Sequence, residues 1–160
     1  MRMSEQVEWG LHCCLTLAWI GDDHPMPAAR LAEWFALPPA YLTKCLQALT
    51  RAGILQSVPG ARGGFRLARP PAEVTVLAVT VAIDGADNPF RCTEIRQRGA
   101  GVDPAAPEFR VPCAISTVMH RADLAWRREL AGHTLADLLA AAPAEAAERT
   151  RRRHAALPPR

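Results

Sequence analysis

The chain has 160 residues, 49% of them hydrophobic, with a formal net charge of +3 and five cysteines. That length and apolar content suit one domain, or a small domain with an extension, whose core needs no disulfide staples. An odd cysteine count with Cys13 and Cys14 adjacent excludes a secreted disulfide scaffold, and the absence of a signal-peptide pattern or a membrane-length apolar run leads us to expect a cytoplasmic protein with reduced thiols.

Residues 4–20 show helical periodicity in Val7, Leu11, Cys14, Leu15 and Ala18, with Ser4 as N-cap and a stop at 21–25. Glu8 and His12 stand four apart on one face of this helix, ordinarily a weak local contact, and Trp9 beside them is ordinarily packing. Cys13 and Cys14 fall on the apolar side as inert core thiols. A short second helix covers 27–36, and Leu37-Pro38-Pro39 breaks it, because the residue before a proline avoids the helical region. The third helix runs over 39–52 and stops at Gly53, with Leu42, Cys45, Leu46, Leu49 and Ala52 facing inward. Its other face carries Ala40, Thr43, Lys44, Gln47 and Arg51. Such small, polar and basic residues suit base edges and phosphates, or a plain solvated face.

Two alternating strands, 54–58 and 65–69, flank the turn Pro59-Gly60-Ala61-Arg62-Gly63-Gly64. Two helices joined by a tight turn and followed at once by a hairpin are in the order of a winged helix. From 34 through 72 there is no Asp or Glu, while Lys44, Arg51, Arg62, Arg66 and Arg69 supply cations. A field of one sign is the footprint of phosphate binding, and Arg62 in the turn suits a DNA backbone or minor groove. Double-stranded DNA is therefore the expected partner.

An apolar helix over 74–83 ends at Asp84-Gly85. A polar, Gly- and Pro-containing loop follows, with Cys92 and Cys113 at its ends. A long amphipathic helix starts at Cys113, its stripe made of Ile115, Val118, Met119, Ala122, Trp126 and Leu130. At 1.5 Å per residue it would be roughly 28 Å long. A small domain cannot bury such a stripe alone, so a homodimer is expected. Thr134 caps a last helix with Leu135, Leu138 and Leu139. The Ala-, Glu- and Arg-rich remainder is expected to be disordered. The predicted fold is mainly α with a small β-hairpin: a winged helix-turn-helix over 1–70, a loop with dimerisation helices over 71–142, and a disordered tail over 143–160. No nucleophile–base constellation or phosphate loop is present, so an enzyme is not expected.

The two loop cysteines fit three descriptions. They are incidental surface thiols, a redox disulfide pair, or half of a metal site, which needs about four ligands. Glu94 and Glu108 are acids within the loop, but the paired Glu8 and His12 are the better candidates for the missing donors.

Several stretches together resemble the Rrf2 family of winged-helix regulators, which includes the iron–sulfur cluster regulator and the nitric-oxide sensor of bacteria. They are Pro39-Ala40-Tyr41-Leu42, Leu49-Thr50-Arg51-Ala52-Gly53-Ile54-Leu55, Gly60-Ala61-Arg62-Gly63-Gly64-Phe65-Arg66-Leu67 and Ala82-Ile83-Asp84-Gly85, followed by the cysteine loop and a long helix. The resemblance implies a homodimer that binds promoter DNA, in many members with an iron–sulfur cluster in the loop as sensor. The chain departs from the family in having two loop cysteines rather than three, and Pro59 where an arginine often precedes the first wing glycine. Val7-Glu8-Trp9-Gly10-Leu11-His12-Cys13-Cys14 with Cys92-Thr93-Glu94-Ile95-Arg96-Gln97-Arg98-Gly99 is similar to the RsrR-type redox sensors. That similarity implies a [2Fe–2S] cluster held by Cys92 and Cys113 of one chain and by Glu8 and His12 of the other. Trp9 would be the redox-coupled switch. A metal-free thiol sensor using Cys92 and Cys113, and a structural zinc site, stay open beside it.

Overall fold

A computed structural model describes residues 3–88 and 90–158. In chain order the helices are α1 (Glu5–Ile20), α2 (Ala28–Phe35), α3 (Pro39–Arg51), α4 (Val76–Asp84), α5 (Ala114–Ala131), α6 (Leu135–Ala141) and α7 (Ala144–Ala155). The strands β1 (Leu55–Val58) and β2 (Gly64–Leu67) form an antiparallel hairpin in which Leu55 pairs with Leu67 and Val58 with Gly64. The mainly helical fold with one small hairpin is as expected. Among the described residues no helix is long and apolar enough to cross a membrane.

The chain divides into two compact units, Met3–Ala86 with the chain from Leu130 onward, and Asp87–Glu129. The larger unit holds α4 and α6 together with the winged helix.

In the larger unit α1 is central and packs on α3, α4, α6 and α7. It buries Val7, Gly10, Cys13, Cys14, Leu17 and Ile20. Leu42, Leu46 and Leu49 of α3 are fully buried beside them, each contributing on the order of 1.5–3 kcal/mol of transfer free energy. Gly10 lets the helices close: a Cβ there would lie 2.5 Å from Ile83 Cδ1 and 3.3 Å from Cys45 Sγ. Ser4 precedes α1, but its side chain caps no amide of the helix; its backbone N–H donates to Asp84 Oδ2 at 2.9 Å and its hydroxyl to Asp84 Oδ1.

The hairpin is tied to the segment before α2 by reciprocal backbone bonds between Met26 and Phe65, at 3.0 and 2.9 Å. A Cβ on Gly64 would sit 2.3 Å from the Met26 carbonyl carbon, and one on Gly63 2.1 Å from Val58 O. Close backbone approach therefore requires this pair of glycines. Thr134 and Asp137 form a capping box at the start of α6.

The expected disordered tail is instead helix α7, packed on α1. Ala146 is buried, Arg151 Nε donates to Trp19 O at 3.0 Å, and Arg153 Nη2 donates to Trp34 O at 2.9 Å. The Arg153 guanidinium also lies 4.0 Å from the centre of the Trp34 ring. Its composition concealed this, because α7 docks through arginine contacts to distant carbonyls rather than through an apolar stripe.

In the smaller unit, 3-10 turns at Ile95–Gln97 and Pro107–Arg110 shape the loop that leads into α5. The apolar row of α5 is open to solvent, with Ile115 66%, Val118 61% and Met119 41% exposed. Asp123 is the buried residue of this helix, paired with Arg127 at 2.8 Å.

Candidate metal centre and nucleic-acid interface

The loop folds back so that its two ends meet. Cys92 Sγ, a Glu94 carboxylate oxygen and Cys113 Sγ all lie within 4.8 Å of one another. Glu94 stands in the left-handed region at φ 46°, a conformation costing about 1 kcal/mol or more for a residue with a Cβ. Local contacts hold it there. Gln97 N–H donates to Glu94 O at 3.0 Å, and the Cys92 thiol donates to Glu94 Oε1 at 3.4 Å.

Arg96 grips the other carboxylate oxygen. Its Nε and Nη2 donate to Glu94 Oε2 at 3.1 and 2.9 Å, and Nη2 also reaches Val111 O at 3.4 Å. The guanidinium lies 5.5 Å from the centre of the Phe109 ring. One cation thus connects the segment bearing Cys92 to the segment just before Cys113.

Cys113 precedes the first residue of α5, and its carbonyl accepts from Thr117 N–H at 2.9 Å. Its thiol is held below the ordinary range, chiefly by the Ser116 N–H, then by the Ile115 N–H and the charge of Arg96, against the opposing effect of desolvation. Free amides at a helix start favour an anion. Cys92 is exposed and Cys113 half-buried. The other three cysteines are of a different kind. Burial, reinforced by neighbouring thiols, pushes Cys13 far up and Cys14 to about 12. Burial and the Asp84 charge push Cys45 to about 11. They are core residues, as the sequence suggested.

Glu8 and His12 stand on successive turns of α1, in the larger unit, and both are exposed. The His12 ring lies 5.9 Å from that of Phe35. Trp9 is half-buried, and with Glu8, His12, Phe35 and Leu37 it lines a hollow of about 270 Å³. A second hollow of about 550 Å³ lies on the same helix, lined by Met3, Val7, Leu11, Leu15 and Leu138 as well as Glu8 and His12.

On α3, Ala40, Lys44, Gln47 and Arg51 are exposed and Thr43 is half-buried, while Leu42, Cys45, Leu46 and Leu49 face the core. The Thr43 hydroxyl is turned back to Pro39 O at 2.8 Å. Arg62 is exposed in the wing turn, and Arg66 donates to Gln56 Oε1 at 3.3 Å across the hairpin. Arg69 donates from Nε to Gly53 O at 3.0 Å, tying the hairpin to the end of α3. The cationic strip therefore has exposed members in Lys44, whose ammonium lies 5.8 Å from the centre of the Tyr41 ring, Arg51 and Arg62, and a structural one in Arg69.

Sequence reasoning weighed Glu94 but ranked it below Glu8 and His12, and it did not single out Arg96. The two-residue spacing from Cys92 to Glu94 was a visible signal. The role of Arg96 was not, because it depends on a left-handed residue and on a ring thirteen positions away.

A family profile described as Rrf2, iron-dependent transcriptional regulator, matches residues 3–141. The protein rrf2 of Nitratidesulfovibrio vulgaris is 29% identical over 139 residues, covering 87% of each chain. The HTH-type transcriptional regulator NsrR of Geobacillus kaustophilus is 26% identical, covering 87% of this chain and 90% of its own. Among solved structures, CymR, the global cysteine regulator of Bacillus subtilis, superposes with a TM-score of 0.64 at 23% identity, covering 89% of this chain and 99% of its own. At that identity the likeness speaks for the fold.

Proposed function

Because the chain belongs to the Rrf2 family of transcriptional regulators, we propose that it is a homodimeric, promoter-binding regulator whose sensor is a [2Fe–2S] cluster. The proposed ligands are Cys92 and Cys113 of one protomer and Glu8 and His12 of the partner subunit. The signal would be redox state or nitric oxide. The observation that carries this reading is the closure of the loop, which gathers an exposed and a half-buried thiol and sets Cys113 at a helix start that favours thiolate.

The donor chemistry fits. Two thiolates suit one iron, and an imidazole with a carboxylate suits the other; nitrogen ligation raises the potential, as in Rieske centres. In this reading Glu8 and His12 complete the ligand set begun by the two loop thiols, and the exposed row Ile115, Val118 and Met119 offers a face for a second copy. When bound, the cluster supplies a one-electron centre whose net charge changes with oxidation state.

The protein's own residues would carry that change onward. Glu8 and His12 project from α1, and Trp9 between them packs against the core. On its buried side, Gly10 of α1 is close-packed on Cys45 and Leu49 of α3. The opposite side of α3 carries Lys44, Gln47 and Arg51. A shift of α1 is therefore passed to the recognition helix by direct contact, and a dimer must set two such helices to its half-sites together. A tenfold change in affinity requires about 1.4 kcal/mol of coupling.

A second reading rests on the same closure. Cys92 and Cys113 would lose two electrons and two protons to an oxidant and form a disulfide, giving a metal-free sensor. Band shifts on promoter DNA in oxidised and reduced protein, with iron and sulfide assayed on the same samples, separate the two. Redox-dependent binding with iron and sulfide present supports the cluster. The same dependence without metal, with the Cys92–Cys113 disulfide found by mass spectrometry, supports the thiol pair.

A further inference from the structure

We propose that each protomer alone binds one divalent transition-metal ion of the zinc, cobalt or ferrous class through Cys92 Sγ, Glu94 Oε1 and Cys113 Sγ, with Arg96 positioning the carboxylate. This goes beyond the cluster: it needs no second subunit, no sulfide, and neither Glu8 nor His12.

Three observations carry it. The donor atoms are already gathered within 4.8 Å. A four-coordinate zinc-type ion with bonds near 2.3 Å sets its sulfur ligands about 3.8 Å apart, so closing on an ion takes side-chain rotation of about 1 Å. The second observation is the division of labour on Glu94. Arg96 takes Oε2 through two N–H groups, and Oε1 is left facing Cys92. A ligating carboxylate fixed by an outer hydrogen bond is the usual second-shell arrangement. The third is the left-handed backbone of Glu94. An energetically costly conformation that leaves a carboxylate oxygen within 4.8 Å of two thiols is a preorganised feature.

Charge and softness choose the ion. Two thiolates and a carboxylate carry −3, the metal +2 and Arg96 +1, so the filled site is neutral. Thiolate donors exclude magnesium and calcium, and three protein donors leave a fourth position for water. Binding releases to solvent the protons that the thiols still carry, and no electron is transferred.

The test is a Co²⁺ titration of the full-length, reduced, metal-free protein without oxygen, followed by absorption and proton release. The expected result is one ion per protomer, thiolate-to-cobalt charge transfer, the visible bands of a four-coordinate ion, and release of protons. Glu94→Gln should weaken binding on the order of a hundredfold and alter the visible bands. Arg96→Gln should weaken it about tenfold, with Arg96→Lys recovering part of the loss. Glu108→Gln, in the same loop but outside the donor group, should bind as the parent does. Circular dichroism of each variant keeps folding out of the comparison. Absence of thiolate charge transfer in the parent, or Glu94→Gln binding Co²⁺ as tightly as the parent, overturns the proposal. Iron–sulfur reconstitution of Glu94→Gln tells the two ligand sets apart, which share Cys92 and Cys113 and so exclude each other in one loop: a variant that takes up cluster but has lost its cobalt affinity supports a mononuclear mode that depends on Glu94.

Discussion

The five cysteines should differ in reactivity by orders of magnitude. Burial pushes Cys45 to about 11 and Cys14 to about 12 from an ordinary 9.0, so at neutral pH their thiolate populations fall about a hundredfold and a thousandfold. Cys113 moves the other way, lowered by the Ser116 and Ile115 amides and by Arg96. Its thiolate therefore persists to lower pH in the folded chain than in the unfolded one. The assay is a pulse of iodoacetamide on metal-free, reduced protein, with site-resolved mass spectrometry across about pH 6 to 9. Cys113 should label readily, with a half-labelling pH below that of the same cysteine in denaturant. Cys13, Cys14 and Cys45 should stay unlabelled while the protein is folded. Ser116→Pro sharpens the test. It removes the largest stabilising amide, and in the first turn of α5 that amide has no helical partner to lose. The half-labelling pH of Cys113 should then rise. Labelling of Cys14 at a rate comparable to Cys113 in folded protein, or no change on Ser116→Pro, would refute this account of the loop.

Three further outcomes follow from the fold. Lys44→Ala should weaken binding to all DNA sequences alike and reduce the salt dependence by about one counterion; filter binding over a salt series measures both. Thr134→Ala removes half of the capping box and should cost about 1 kcal/mol in urea denaturation at neutral pH. The Asp137 carboxylate is held below 3.8, chiefly by the Thr134 hydroxyl and then by its N–H. Its contribution is therefore complete above the unfolded value and is lost as pH falls through the lower folded one, and the difference between parent and variant should shrink in acid. Truncation after Ala142 removes α7 and its contacts to Trp19 and Trp34; Tm should fall by about 5 °C or more, with a changed tryptophan emission.

Local periodicity made much of this molecule legible. The stripe Leu42, Cys45, Leu46 and Leu49 is buried as its spacing indicates, and the turn glycines mark the wing. What was hidden depends on contacts distant in sequence. Gly63 and Gly64 are legible as turn residues, yet their immediate cause is the backbone of Val58 and of Met26. Helix α7 carries almost no apolar pattern and is fixed by Arg153 on Trp34. In α5 the apolar row was legible, while the buried Asp123 with its Arg127 was not. In the loop the thiols stood out at once. Glu94 was legible as an acid two residues from Cys92, but the left-handed backbone that brings its carboxylate to both thiols was not.

The most direct test of the central claim is the visible absorption spectrum of protein isolated without oxygen, taken oxidised and after one-electron reduction, for the parent and for Cys92→Ser, Cys113→Ser, Glu8→Ala and His12→Ala. The account predicts sulfur-to-iron charge transfer in the parent that bleaches on reduction. It should be lost in the cysteine variants and shifted or weakened in the Glu8 and His12 variants. A colourless parent that takes up no iron and sulfide, or Glu8→Ala and His12→Ala spectra identical to the parent's, would contradict it.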